Sequence, residues 1–184
     1  MPMTDITNLR IRKFASIRYS HTMKELLLNY ARFNLWANKR VCDFLLQVEE
    51  EKLDKEIVSS FPSLKKTVAH ILFAETIWVL RLHGSSPSSL PIQSQELSMT
   101  ELAQLWLDKS EEIIAYVESR SEEQLAEMLS YKNIAGESFV SCIRDIIQHV
   151  VNHGTFHRGQ IITMLRQVGY TKLFDTDYII FCRE

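Results

Sequence analysis

A chain of 184 residues, 46% hydrophobic and 24% charged, is long enough to bury its own core as one domain without disulfide staples. Five glycines and four prolines exclude collagen-like and low-complexity classes, and no apolar run approaches the roughly 20 residues of a membrane-spanning helix. The 21 basic residues against 23 acidic ones leave a net charge of -2, too small a field to hold a polyanion, so neither nucleic acid nor membrane is expected as a partner.

Residues 1–20 lack sustained periodicity, and Arg10, Arg12, Lys13 and Arg18 make them locally basic. They are expected to form an N-terminal arm ahead of a single domain over residues 21–184. The segment has no uninterrupted apolar core and no small-residue cleavage site, which argues against a secretory signal and for a cytoplasmic location. Cys42, Cys142 and Cys182 are odd in number, far apart and free of any CxxC pair, so reduced thiols are expected rather than a disulfide framework or a cysteine zinc site.

From Thr22 the pattern becomes helical. Thr22 and Glu25 fit a capping box, and Leu26, Tyr30, Phe33, Ala37, Val41 and Leu45 recur at helical spacing to about residue 47. A polar stretch over residues 49–60 ends at Pro62, after which Ser63 caps a second helix that runs to Gly84 and is apolar over much of its circumference. Residues 85–95, rich in serine and proline, read as a surface crossover loop. Ser98 with Glu101 starts a third helix that continues to about Ser119, and residues 121–129 suggest one further short helix. The segment around Asn133 and Gly136 suggests a small hairpin or ordered loop. A fourth long helix is expected over residues 140–168, stopping at Gly169. The last stretch, YTKLFDTDYIIFCRE, is too aromatic and β-branched for a free tail and is expected to fold back onto the bundle or onto a partner subunit. The fold class is therefore all-α, a four-helix bundle with a short hairpin or loop before its last helix.

Within the fourth helix, His149, His153 and His157 step by four residues, and each step rotates only 40° around the axis. In a chain with six histidines such a run is expected by chance about 0.006 times, so coincidence explains it poorly. Two imidazoles one turn apart can converge on one metal ion, and either His149 with His153 or His153 with His157 has that spacing. A third ligand must come from elsewhere. His70 is the candidate, because it lies in the apolar run VAHILFAETIW, where an unpaired imidazole costs desolvation energy. His83 beside a helix C-terminus and His21 before a cap have ordinary explanations.

The neighbours exclude several metal chemistries. Ile146, Val150 and Gly154 stand three places before the ladder histidines, so the Glu-x-x-His pair of di-iron bundles is absent; Val150, Gly154 and Arg158 follow them, so there is no HExxH motif. What remains is a mononuclear, nitrogen-rich site with an open coordination position. No general base stands beside it. Glu75 is five residues from His70, about 140° around the helix, and reads as a structural group bonded to backbone or to another helix. Cys142 reads as a small core residue. Arg158 and Gln160 reach toward a substrate or serve helix packing, and Asn34 and Asn38 either line a cavity or are exposed.

These residues together resemble the DinB/YfiT-like four-helix proteins, over most of the chain. The resemblance lies in Tyr30, Asn34, Trp36, Ala37 and Asn38 of YARFNLWAN, in His70, Ala74, Glu75 and Trp78 of HILFAETIW, in NHGTFHRGQ and in the tail FDTDYIIF. It implies an up-down-down-up bundle with a long crossover, commonly dimeric, and a divalent metal ion, zinc or nickel, on His70, His153 and His157. His149 is then a candidate to support a ligand from behind. Relatives of this kind include S-transferases and isomerases that use low-molecular-weight thiols, so a thiol-dependent S-transferase acting on a small electrophilic substrate is the first functional expectation. A metal-dependent hydrolase and a non-catalytic metal-binding stress protein are the alternatives. Homodimerisation is expected from the apolar circumference of the second helix and from the aromatic tail.

Overall fold

Four long helices form where a cap and an apolar stripe coincide. They are α1 (Met23–Leu45), α3 (Leu64–Leu82), α4 (Met99–Ser119) and α6 (Ile143–Gln167) in a computed structural model that describes residues 22–89 and 97–184. The expected N-terminal arm and His21 lie outside the described residues, as does most of the expected crossover loop. Thr22 and Ser98 each close a reciprocal capping box, with Glu25 and Glu101, and the Ser63 side chain accepts from the Lys66 amide. Gly84 and Gly169 stop α3 and α6 at φ +83° and +100°. In both cases the following residue donates back to the last turn, Ser85 to Leu80 and Tyr170 to Leu165, a cap that needs the left-handed backbone glycine adopts without strain.

The core clusters fix the helix directions. At one end Leu27 of α1 packs with Leu82, Val117 and Ile147, joining the start of α1 and α6 to the finish of α3 and α4. At the other end Val41 and Leu45 meet Leu64, Val68, Met99, Leu102, Ile161 and Leu165. The order is therefore up-down-down-up, and the α3 to α4 connection must cross the full length of the bundle. Each long helix packs on two others, α1 and α3 standing diagonally opposite. Each fully buried Leu or Ile contributes about 1.5–3 kcal/mol, so these stripes hold the assembly together.

Three boundaries differ from the sequence expectation. The polar stretch contains a short helix, α2 (Glu50–Asp54), whose Leu53 is buried. The second short helix, α5 (Glu122–Leu125), is briefer than residues 121–129, because Met128 and Leu129 already belong to β1 (Met128–Lys132). The last long helix starts at Ile143 rather than near Val140, because Val140 lies in β2 (Ser138–Cys142). β1 and β2 pair antiparallel from Met128↔Cys142 to Lys132↔Ser138, around a turn in which Asn133 receives the Gly136 and Glu137 amides. The tail packs on its own chain: Tyr178 and Phe181, in α7 (Tyr178–Phe181), stack against Tyr30, Phe33 and Trp36. Among the described residues no helix is long and apolar enough to cross a membrane. The three cysteines are free thiols; Cys42 and Cys142 are buried, and burial pushes the Cys42 thiol up to about 12.

Candidate metal centre

His70 on α3 and His153 and His157 on α6 face one another across the groove between the two helices. The Nε2 of His153 lies 3.1 Å from that of His70 and 3.2 Å from that of His157, and one ligand atom of each residue lies within 4.8 Å of the others. A neutral imidazole nitrogen carries either one proton or one lone pair, so the His153 Nε2 can satisfy only one of these neighbours by hydrogen bonding. A cation satisfies all three lone pairs at once. Three nitrogens at 2.0–2.1 Å from a tetrahedral ion stand about 3.3–3.4 Å apart, close to the two separations from His153, 3.1 and 3.2 Å. The donor set fits a divalent ion.

The surroundings favour the neutral form of His70 and His153, which is the ligating form. Burial, with His157 alongside, lowers the His70 pKa to about 4; burial and the neighbouring imidazoles lower that of His153 to about 4. The Nδ1 of His157 lies 2.7 Å from Gln160 Oε1. A carboxamide oxygen only accepts, so this bond holds the proton on Nδ1 and turns the Nε2 lone pair toward its neighbours. Gln160 in turn donates to Ser60 Oγ at 2.9 Å. The next residue, Phe61, stacks on the His70 ring with centroids 4.0 Å apart. Nothing in the polar stretch marked Phe61; its position just before Pro62 was the only available signal.

His149 does not join the three nitrogens. It is exposed, its ring stands edge-on to Trp78 at 5.3 Å and 5.9 Å from the His153 ring. His83 is also exposed, with its ring against Tyr116.

Beside the histidines lies a buried polar layer to which every long helix contributes. Glu75 accepts at one carboxylate oxygen from Asn34 (2.8 Å), Asn38 (3.0 Å) and the Trp106 indole (3.2 Å), and at the other from Ser110 (2.9 Å). The carboxamide oxygens of Asn34 and Asn38 accept from Arg158 Nη1 at 2.8 and 2.6 Å, and Arg158 Nη2 donates to Thr155 at 2.8 Å. Glu75 and Arg158 are each 1% exposed. Burial pushes the Glu75 carboxyl up, and it lowers Arg158 to about 10 against the opposing pull of Glu75. Glu75 thus bonds to other helices, as expected. Asn34 and Asn38 neither line a cavity nor lie exposed; they relay between two buried charges. Arg158 serves the interior rather than a substrate.

The segment NHGTFHRGQ therefore carries two interleaved sets of residues. His153, His157 and Gln160 form one side of the histidine cluster, while Gly154, Thr155 and Arg158 belong to the polar layer.

Comparison with known proteins agrees with this architecture. The DinB family model matches residues 22–181. Protein DinB of Bacillus subtilis (strain 168) is 30% identical over 166 residues, covering 86% of this chain and 95% of that protein. Uncharacterized protein YjoA of the same strain is 25% identical over 130 residues, covering 67% of this chain and 81% of its own length. Among solved structures, the DinB-like YjoA of Bacillus subtilis superposes with a TM-score of 0.64 at 19% identity, over 80% of this chain and 97% of that one. YfiT from Bacillus subtilis, described as a probable metal-dependent hydrolase with an unusual four-helix bundle topology, gives 0.59 at 13% identity, over 77% and 87%. At these identities the two superpositions establish the fold.

Proposed function

This chain belongs to the DinB family, and from that premise we propose that it is a metal-dependent enzyme whose divalent ion is held by His70, His153 and His157. The observation that carries this reading is the convergence of three Nε2 atoms at 3.1 and 3.2 Å, one of them shared by both neighbours. When bound, zinc or nickel supplies Lewis acidity, bringing the pKa of a small nucleophile toward neutrality. The protein contributes the rest. Gln160 holds the His157 proton on Nδ1, Phe61 covers one face of His70, and low pKa values keep His70 and His153 neutral. Three protein ligands leave a position for the reactant.

The nucleophile is water in a hydrolase or a low-molecular-weight thiol in an S-transferase. The hydrolase has the description of the structural neighbour YfiT in its favour; the transferase has the residue pattern of the family. Metal analysis of protein purified without added metal, followed by assays of ester and amide hydrolysis and of thiol addition to electrophiles, tests the proposal. Turnover lost on chelation and independent of thiol selects the hydrolase; turnover that requires thiol selects the transferase. Protein that binds neither zinc nor nickel stoichiometrically defeats both.

A further inference from the structure

Arg81 lies eleven residues after His70 on α3, three turns on and only about 20° around the axis, so the two residues share a face about 16 Å apart. Its side chain is 7% exposed, its Nε has no hydrogen-bond partner, and among the described residues no carboxylate pairs with it. The guanidinium instead lies over two aromatic rings, 4.6 Å from the Trp78 centroid and 5.1 Å from that of Tyr131. Ring faces offset part of the desolvation of a cation but leave its forked N–H donors unused. The rings also connect Arg81 to the histidines. Trp78 meets Tyr131 at 5.1 Å and His149 at 5.3 Å, and His149 meets His153 at 5.9 Å.

We propose that Arg81, backed by Trp78 and Tyr131, is an oxyanion-binding subsite for the carboxylate or phosphate end of a small extended molecule whose other end reaches the His70, His153 and His157 cluster. A planar guanidinium offers paired donors matched to either oxyanion. His149, whose ring touches both Trp78 and His153, then stands between the two ends. The anion subsite stands on the surroundings of Arg81 alone; the reaction at the far end rests on the metal-dependent function proposed above.

The test uses chelator-treated, isotopically labelled full-length protein, so that its failure is distinct from failure of metal binding. The Arg81 Nε–H resonance is followed while succinate, inorganic phosphate or chloride is added at matched ionic strength. A saturable shift with succinate, phosphate or both, and none with chloride, is expected; which anion acts identifies the chemistry of the bound end. Arg81→Gln should weaken the binding at least tenfold. Arg120→Gln should leave it unchanged, although Arg120 also stacks on a tyrosine, 4.6 Å from the Tyr116 ring. A response to chloride equal to that of the oxyanions, no response at all, or equal weakening by Arg120→Gln overturns the proposal. The titration of the unaltered protein decides the matter even if Arg81→Gln does not fold.

Discussion

Replacing Gly154 by alanine should destabilise this protein, although the same change in a helix interior ordinarily stabilises it by about 0.5–1 kcal/mol. A methyl carbon on Gly154 would lie 2.8 Å from Arg158 Nη1 and 2.9 Å from Asn34 Oδ1. These are the two atoms of one hydrogen bond, itself 2.8 Å long. Neither can withdraw freely. Arg158 is also held by Asn38 and Thr155, and Asn34 is held by Glu75. Losing a hydrogen bond to a buried charge costs about 1.5–3 kcal/mol; the crowding is the same event and is counted once. Subtracting about 1 kcal/mol of helix propensity leaves a net loss of about 0.5–2 kcal/mol. Gly159, in the same helix, has nothing within 4 Å of an added methyl, so Gly159→Ala should gain about 0.5–1 kcal/mol. Urea unfolding of both variants in the presence of a chelator reads the two signs. At about 2–4 °C per kcal/mol for a chain of this size, thermal midpoints should move in opposite directions by a few degrees. A Gly154→Ala protein as stable as the parent, or more so, would refute the claim that this glycine makes room for the Arg158 to Asn34 bond.

Alanine at His70, His153 or His157 should each abolish stoichiometric zinc binding measured by metal analysis. His149→Ala should lose far less, and metal-free His149→Ala beside a metal-loaded His157→Ala would place the site one turn earlier. Gln160→Ala should weaken zinc affinity about 10- to 100-fold, read by competition with a chromophoric chelator. Arg158→Leu should cost about 3–5 kcal/mol because it strands Glu75 without a counter-charge, and Glu75→Met in the same protein should recover part of that loss; additive costs in urea titrations would contradict the coupling. In metal-free protein, His70 and His153 bind protons more weakly folded than unfolded, near 4 against 6.5. Their contribution is therefore complete above about pH 6.5 and is lost as the pH falls toward 4. His70→Asn should flatten that part of the stability profile. Homodimerisation, which we retain as a proposal, predicts sedimentation at twice the mass of the chain.

The local signals at helix ends were legible because each acts through bonds between near neighbours. Thr22 with Glu25, Ser98 with Glu101, and the stops at Gly84 and Gly169 all stand where the sequence puts them. The start of α6 was not, because Val140, Ile143 and Ile147 continue a helical spacing straight through the strand, and Cys142 gives no side-chain cap. The histidine spacing was plain in the sequence, yet only the placement of α3 shows which rungs meet His70; the His149 ring is turned to Trp78 instead. The polar layer was illegible for a different reason. A lone asparagine or arginine on an apolar stripe is equally compatible with exposure, and only the simultaneous burial of Asn34, Asn38, Glu75, Ser110 and Arg158 distinguishes the two.

That layer also sets the axial register of the bundle. Apolar stripes tolerate a slip of one helix past another, since leucine meets leucine again a turn later. A carboxylate with four donors and a guanidinium with three acceptors do not, because a slip strands buried charge. Arg158 follows His157 directly and Glu75 lies five residues beyond His70, so the bonds that lock α3 and α6 against sliding also fix the height at which their imidazoles meet. The three-nitrogen geometry is thus held from within the core, and transplanting it into another bundle would require carrying Asn34, Asn38, Glu75, Ser110 and Arg158 along with the histidines.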